Sequence, residues 1–245
     1  MTPDAKAIIA AFDAAAETYD EATPIQRDVA RELVRRAAGA VSAPPKTILD
    51  LGAGAGHVTG FALGEWPAAE LTALDAAPAM LRRLSAKFPK VETIARDART
   101  LDGLPRYDLI LSSMMLHWLA DPRAALAEWR KHLALGGLLC VATPVAGSLP
   151  EWRELTRAAG VADRLWAFPK ADFADGLGAE VGRADFSAHY SDARHFLRTL
   201  KDAGAHQSRP GAKPTSTGAL RRALAAKTAF TATFHVTFIT FRDAG

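Results

Sequence analysis

The first chemical signal lies in Asp50-Leu51-Gly52-Ala53-Gly54-Ala55-Gly56, which follows the apolar run Thr47–Leu49 and leads into a helical pattern. Glycines at a strand-to-helix turn adopt torsions closed to other residues and let main-chain N–H groups approach a ligand with no Cβ in the way. A Gly-x-Gly-x-x-Gly spacing would seat a dinucleotide pyrophosphate there. Here the third glycine comes one residue early and an acid, Asp50, precedes the turn, so a pyrophosphate fits poorly. Asp75 closes Leu71-Thr72-Ala73-Leu74-Asp75 one βα unit later, where a carboxylate can accept both hydrogen bonds of a ribose diol. Asp97, in Ala95-Arg96-Asp97-Ala98, ends the next candidate strand and can accept from an exocyclic amine. Alone, the glycines read as a packing turn and each aspartate as a cap or turn residue. Three strand ends in succession weigh against that reading.

The elements that must position these groups alternate. Short apolar runs at Lys46–Leu51, Glu70–Leu74, Val91–Ala95, Tyr107–Met114 and Leu138–Thr143 predict strands. Gln26–Ala38, His57–Leu63, Pro78–Phe88 and Pro122–Leu133 carry helical spacing. Such alternation predicts an α/β fold with a mostly parallel sheet and ligands beyond the carboxyl ends of its strands. After Pro150 the regularity fades: Glu151–Ala159 and Asp192–Ala203 read as helices of a small cap or insertion, and Pro210–Gly218 as a mobile loop. Phe230–Phe241 alternates at strand period and is expected to rejoin the sheet as an antiparallel C-terminal strand. The whole chain, 1–245, is read as one domain. Its expected parts are N-terminal helices or a lid (1–45), a cofactor core (46–145), the cap and substrate region (146–228) and the last strand (229–245).

Composition sets the class. With 49% apolar and 23% charged residues and a net charge of +3, the 245-residue chain has the make-up of a soluble globular protein. It offers no apolar stretch of membrane-spanning length and no signal-peptide pattern, which predicts a cytoplasmic protein without a membrane partner. The single cysteine, Cys140, excludes an internal disulfide and sits in a buried-strand pattern. No metal-ligand spacing, Ser-His-Asp arrangement or RNA-binding module is legible, so neither a metal nor a nucleic-acid partner is expected, and the chain is read as a monomer.

Ile48–Gly56 resembles the first motif of class I S-adenosylmethionine methyltransferases, and Leu74-Asp75, Asp97 and Tyr107-Asp108-Leu109-Ile110 match their next three in order. The resemblance implies their Rossmann-like fold with S-adenosylmethionine as cofactor and S-adenosylhomocysteine as product. It implies that Asp50, Gly52, Gly54 and Gly56 belong to the methionine site, that Asp75 with Ala76 takes the ribose, and that Asp97 with Ala98 contacts the adenine. Ser113 and Met114 would line the opening toward the methyl group.

The acceptor is narrowed by further segments. Phe12–Asp20, His117-Trp118, Gly147-Ser148-Leu149-Pro150-Glu151 and Leu200–Ala205 resemble those of the malonyl-acyl-carrier-protein O-methyltransferases of biotin synthesis, over nearly the whole chain. Ala53 stands where many relatives carry Cys, and His117 where some carry Gln. A malonyl carboxylate is ionised at neutral pH, with a pKa of about 4, so its methylation needs alignment and desolvation but no catalytic acid or base. The pocket does need a carboxylate anchor, for which Arg198 and Lys201, with Tyr19 and His117, are the candidates. Between Asp202 and Asp243 no acidic residue occurs, whereas Arg209, Lys213, Arg221, Arg222, Lys227 and Arg242 do. The basic stretch 206–227 is therefore the expected docking surface for an acidic acyl-carrier protein. Two other readings stay open: a methyltransferase for an aconitate-type carboxylate or a quinone ring, and a non-catalytic assembly factor of the same fold. A ring acceptor would need a base, so Arg198 outside the pocket with His117 inside it would favour the former of these.

Overall fold

The computed structural model describes residues 3–162, 164–208, 211–212, 217–225 and 228–243. The chain opens with three helices, α1 (Pro3–Ala15), α2 (Tyr19–Ala22) and α3 (Pro24–Ala40). The third begins on Pro24 and buries Ile25, Val29, Ala30, Leu33, Val34 and Ala37, a stripe at helical spacing. Then strand and helix alternate: β1 (Thr47–Leu51), α4 (His57–Glu65), β2 (Glu70–Asp75), α5 (Pro78–Lys87), β3 (Glu92–Ala95), β4 (Tyr107–Ser113), α6 (Pro122–Arg130) and β5 (Leu133–Pro144). Asp121 caps α6 by accepting from the Ala124 N–H at 3.0 Å. The second half holds α7 (Pro150–Ala158), β6 (Glu180–Tyr190), α8 (Ala193–Asp202), α9 (Thr217–Ala223) and β7 (Phe230–Arg242).

These strands form one seven-stranded sheet in the order β3-β2-β1-β4-β5-β7-β6. The pairs β1–β2, β1–β4, β2–β3 and β4–β5 are parallel, while β7 runs antiparallel to both neighbours. Both faces are covered, as a parallel sheet requires. Ile48, Leu109 and Cys140 face the layer built on α3, α4, Trp152 and Phe196, whereas Leu49, Leu51, Ile110 and Leu139 face Leu126 and Trp129 of α6. The expected α/β, Rossmann-like architecture with an antiparallel last strand is the observed one.

The expectation for 146–228 needs correction, because β6 belongs to the sheet and not to a helical cap. Ala184, Phe186 and Ala188 are half-buried and alternate with exposed Arg183, Asp185, Ser187 and His189. That is period 2, legible in principle. The charges and small residues that suit an edge strand disguise it. Helix α9 begins at Thr217, so it takes in only the last two residues of the segment read as a mobile loop, of which residues 210 and 213–216 lie outside the described residues. No helix among the described residues is long and apolar enough to cross a membrane.

Candidate active site

The carboxyl ends of β1, β2, β3 and β4 open into a cavity of about 420 Å³. Gly52, Gly54, Asp75, Ala76, Asp97, Ala98 and Ser113 all line it. Sequence positions far apart thus meet where the strand order turns outward from β1 toward β2 and β4, the expected ligand crevice of such a sheet.

The glycine turn is held from within. Gly52, Gly54 and Gly56 have φ of +71°, +52° and +94°. A Cβ on Gly52 would run into the Met115 side chain, which itself lines the cavity. At Gly54 the nearest neighbour of such a Cβ is the Tyr19 ring, at 3.7 Å, so that glycine opens onto the cavity. Gly56 is placed apart: it does not line the cavity, and a Cβ there would press on Phe88 and Leu84 at 3.0 and 3.1 Å. Its role in this structure is to let α4 lie close to α5.

Asp50 also stands apart. Strand alternation puts it on the face of Ile48, beneath α4, where it is buried and accepts from the Thr59 hydroxyl at 2.7 Å. Its other oxygen is buried without a partner, and burial pushes the carboxyl up to about 7.

Asp75 accepts from the Gly54 N–H and the Ala77 N–H, each at 2.8 Å. A carboxylate has about four acceptor sites. Two therefore remain for a diol, and the aspartate ties the glycine turn to β2. Asp97 is gripped by Arg99 through its Nε at 2.9 Å and Nη2 at 2.5 Å, and the guanidinium holds the carboxyl below the usual range. The neighbouring Ala98 carbonyl accepts from the buried Trp129 indole at 2.8 Å, which fixes this corner.

At the far end of the cavity the chain turns sharply. Met114 follows β4 with a φ of +54°, a strained value for a side chain of this size. The Ser113 hydroxyl oxygen is buried with no partner. A helical turn, Leu116–Trp118, follows, and His117 within it is buried between Trp118 and Phe168, with ring centroids at 4.8 and 5.4 Å. Its Nδ1 has no partner, its carbonyl accepts from the Trp166 indole at 2.8 Å, and burial lowers its pKa to about 3, so the imidazole is neutral.

Helix α1 closes the cavity, with Ile8, Ile9 and Phe12 on its inner face. Tyr19 follows, stacked on His57 at 5.7 Å, and desolvation raises its hydroxyl pKa. Arg83 and Lys87 of α5 hold Asp20 at 2.8 and 2.9 Å, and Arg83 reaches Glu17 at 3.1 Å.

A second cavity, about 370 Å³, shares Phe12, Tyr19, Met114, His117, Trp118 and Trp166 with the first. Arg198 and Lys201 line neither and are exposed, which overturns their reading as carboxylate anchors. Helix α8 buries Phe196 and turns Leu197 and Leu200 to the second cavity, so the charged positions face away. The pocket thus shows His117 inside and Arg198 outside. Within the basic stretch, Arg221 and Arg222 are exposed on α9, and Arg209, Lys213 and Lys227 lie outside the described residues. Arg242 pairs opposite Leu138, midway along β5, and lines neither cavity. Among the described residues no cluster of His, Cys, Asp or Glu could hold a metal ion.

Trp166, Met115 and Arg164 are site residues that the sequence reading missed. They lie in a turn and an irregular segment without periodicity.

Residues 48–137 match the family described as a methyltransferase domain. Over 220 residues the chain is 34% identical to the malonyl-[acyl-carrier protein] O-methyltransferase of Halorhodospira halophila, covering 85% of this chain and 74% of that one. This chain belongs to the malonyl-acyl-carrier-protein O-methyltransferase family. The enzyme of that name from Laribacter hongkongensis is 32% identical over 232 residues, covering 85% of this chain and 76% of its own. The fold is shared with the N-methyltransferase NodS of Bradyrhizobium japonicum, solved with S-adenosylhomocysteine, at a TM-score of 0.54 and 16% identity over 93% of this chain and 99% of that one. As a member of this family the protein is an S-adenosylmethionine-dependent methyltransferase. Its cavity fits the cofactor: open acceptor positions on Asp75 and the unpartnered Ser113 hydroxyl are polar surface suited to a ligand, and Gly54 lines the same cavity.

Proposed function

We propose that the chain, acting as one catalytic unit, methylates the free carboxylate of a malonyl thioester, malonyl-acyl-carrier protein, as a step of biotin synthesis. The observation that carries this reading is the junction of the two cavities at Tyr19, Met114 and His117, in a chain whose relatives carry that enzyme's name. When bound, S-adenosylmethionine supplies an electrophilic methyl group on a positively charged sulfur. Gly52 and Gly54 admit its methionine part, Asp75 with Ala76 takes the ribose, and Asp97 with Ala98 the adenine.

The acceptor carboxylate lies at the junction. No Lys or Arg among the described residues lines the shared wall, so neutral donors hold the carboxylate: the Tyr19 hydroxyl and the His117 imidazole. This suits the reaction. Charge is consumed as a carboxylate attacks a sulfonium, so a cation fixed on the carboxylate would stabilise the ground state more than the transition state. Phe12, Trp118 and Trp166 keep water from the attacking oxygen. Arg221 and Arg222 on α9 offer charge to an acidic carrier protein.

One observation favours a second reading. His117 inside and Arg198 outside is the arrangement expected for an acceptor that must lose a proton, with the imidazole as base, but burial lowers the His117 pKa to about 3 and so leaves it a weak base. Transfer of labelled methyl to malonyl-acyl-carrier protein, malonyl-coenzyme A and aconitate separates the two. Base-labile label on a malonyl thioester, with His117→Asn changing KM more than kcat, supports the carboxylate reading. Label on none of them, despite bound cofactor, refutes it.

A further inference from the structure

The turn Leu116–Trp118 is a single helical turn, closed by the Trp118 N–H on the Met115 carbonyl at 2.9 Å and the Leu119 N–H on the Leu116 carbonyl at 3.0 Å. These bonds leave the His117 carbonyl without a partner inside the turn, and His117 is buried, where an unpaired carbonyl is costly. Its partner comes from 49 residues farther on: the Trp166 indole N–H donates to it at 2.8 Å. Trp166 stands in the irregular segment between α7 and β6. That segment is anchored to the sheet, because the Pro169 carbonyl accepts from the Ala146 N–H at 2.7 Å and the Phe168 ring meets Phe234 of β7 at 6.3 Å. Phe168 also sets its edge against the His117 imidazole at 5.4 Å. The Trp166 ring lines both cavities and lies 5.2 Å from Trp118, yet its one polar atom is committed to the backbone of the turn.

We infer that Trp166 is a positioning residue for methyl transfer: its indole N–H pins the His117 carbonyl and so sets the imidazole at the junction of the two cavities. The imidazole is thereby held twice, through its own backbone and through the Phe168 edge, while its buried Nδ1 has no protein partner and is left for a ligand oxygen. Placement matters because a displacement of about 1 Å at a group that orients a substrate can cost about a hundredfold in rate. Trp166 contributes this without itself donating to the acceptor. The inference rests on the proposed role of His117 toward the acceptor carboxylate, but the pinning of the turn is measurable with no acceptor present.

Trp166→Phe keeps an aromatic ring and removes the N–H. In transfer of labelled methyl to malonyl-acyl-carrier protein it should raise the acceptor KM about tenfold, with kcat within about threefold and S-adenosylhomocysteine affinity within about twofold. In a His117→Ala background the same substitution should change KM by less than about twofold, because no imidazole remains to be placed. An unchanged KM, effects that simply multiply across the two sites, or cofactor affinity that falls in step with KM each overturn the positioning role; the last would make Trp166 a wall of the cavity and nothing more. Histidine-selective NMR of the protein loaded with S-adenosylhomocysteine reads the turn directly. The wild-type imidazole, assigned by its absence from His117→Ala, should stay neutral from about pH 5 to about pH 8, since burial lowers its pKa to about 3. In Trp166→Phe the released turn admits water, and the imidazole should titrate within that range. An imidazole that stays neutral in Trp166→Phe overturns the pinning whatever the kinetics show. Titration in the variant, with no transfer by wild type to any malonyl thioester, would sink the malonyl reading alone.

Discussion

Alanine at Gly52 and at Gly56 should separate cofactor binding from stability, although the two glycines look alike in sequence. Both have positive φ, at +71° and +94°, so alanine at either is strained by about 1–2 kcal/mol. At Gly52 the new methyl meets the Met115 side chain, and displacing it adds about 1–3 kcal/mol of overpacking. The sum, about 2–5 kcal/mol, corresponds to a fall in Tm of roughly 5–15 °C for a chain of this size. At Gly56 the methyl presses on Phe88 and Leu84, which gives a fall of the same order. The difference lies in what moves. Met115 lines the cofactor cavity and Leu84 and Phe88 do not, so Gly52→Ala should weaken S-adenosylhomocysteine at least tenfold. Gly56→Ala should leave affinity within about twofold, each tenfold being 1.4 kcal/mol. Scanning calorimetry gives the Tm values, and isothermal titration on the still-folded variants gives Kd. Loss of affinity in Gly56→Ala with Gly52→Ala unaffected would refute the division of roles drawn from the geometry.

Asp50 should make stability depend on pH in a defined direction. Its folded carboxyl is raised by burial to about 7 from 3.8, so its contribution is present below about pH 4 and lost as pH rises through about 7. Asp50→Asn lacks this loss, and its Tm relative to wild type should therefore climb between pH 4 and 8; a flat difference would show that the carboxyl titrates normally. Releasing the lid, by Arg83→Ala with Lys87→Ala, removes half-exposed ion pairs worth about 0.2–1 kcal/mol each. Stopped-flow displacement should show faster cofactor release with little change in Tm, whereas an unchanged off-rate would deny α1 and α2 a role in closure. Cys140 is buried in β5 with its thiol pushed up to about 12, so a thiol reagent should label it only on unfolding, as mass spectrometry would record.

Most of this site was legible because strand ends are marked locally. Asp75 and Asp97 each close an apolar run, and parallel topology then fixes that such ends lie on one edge of the sheet. Met115 and Trp166 carry no such mark, since a turn and an irregular segment have no periodicity to read. The second cavity was missed for a different reason: its walls come largely from α7, α8, α9 and β7, elements whose apolar stripes read simply as core.

Sequence alone determined the alternation of elements, the antiparallel return of Phe230–Phe241 and the three strand ends that gather at the cofactor cavity, because each follows from local spacing. Tertiary structure decided which side chains of those segments reach a ligand. Asp50 and Gly56 sit within the motif yet face the interior, since strand alternation turns Asp50 under α4 and close helix packing claims Gly56. Arg198 and Lys201 lie on the correct helix yet face solvent, because the hydrophobic demand of Phe196, Leu197 and Leu200 sets the rotation of α8 before any charge can choose its side.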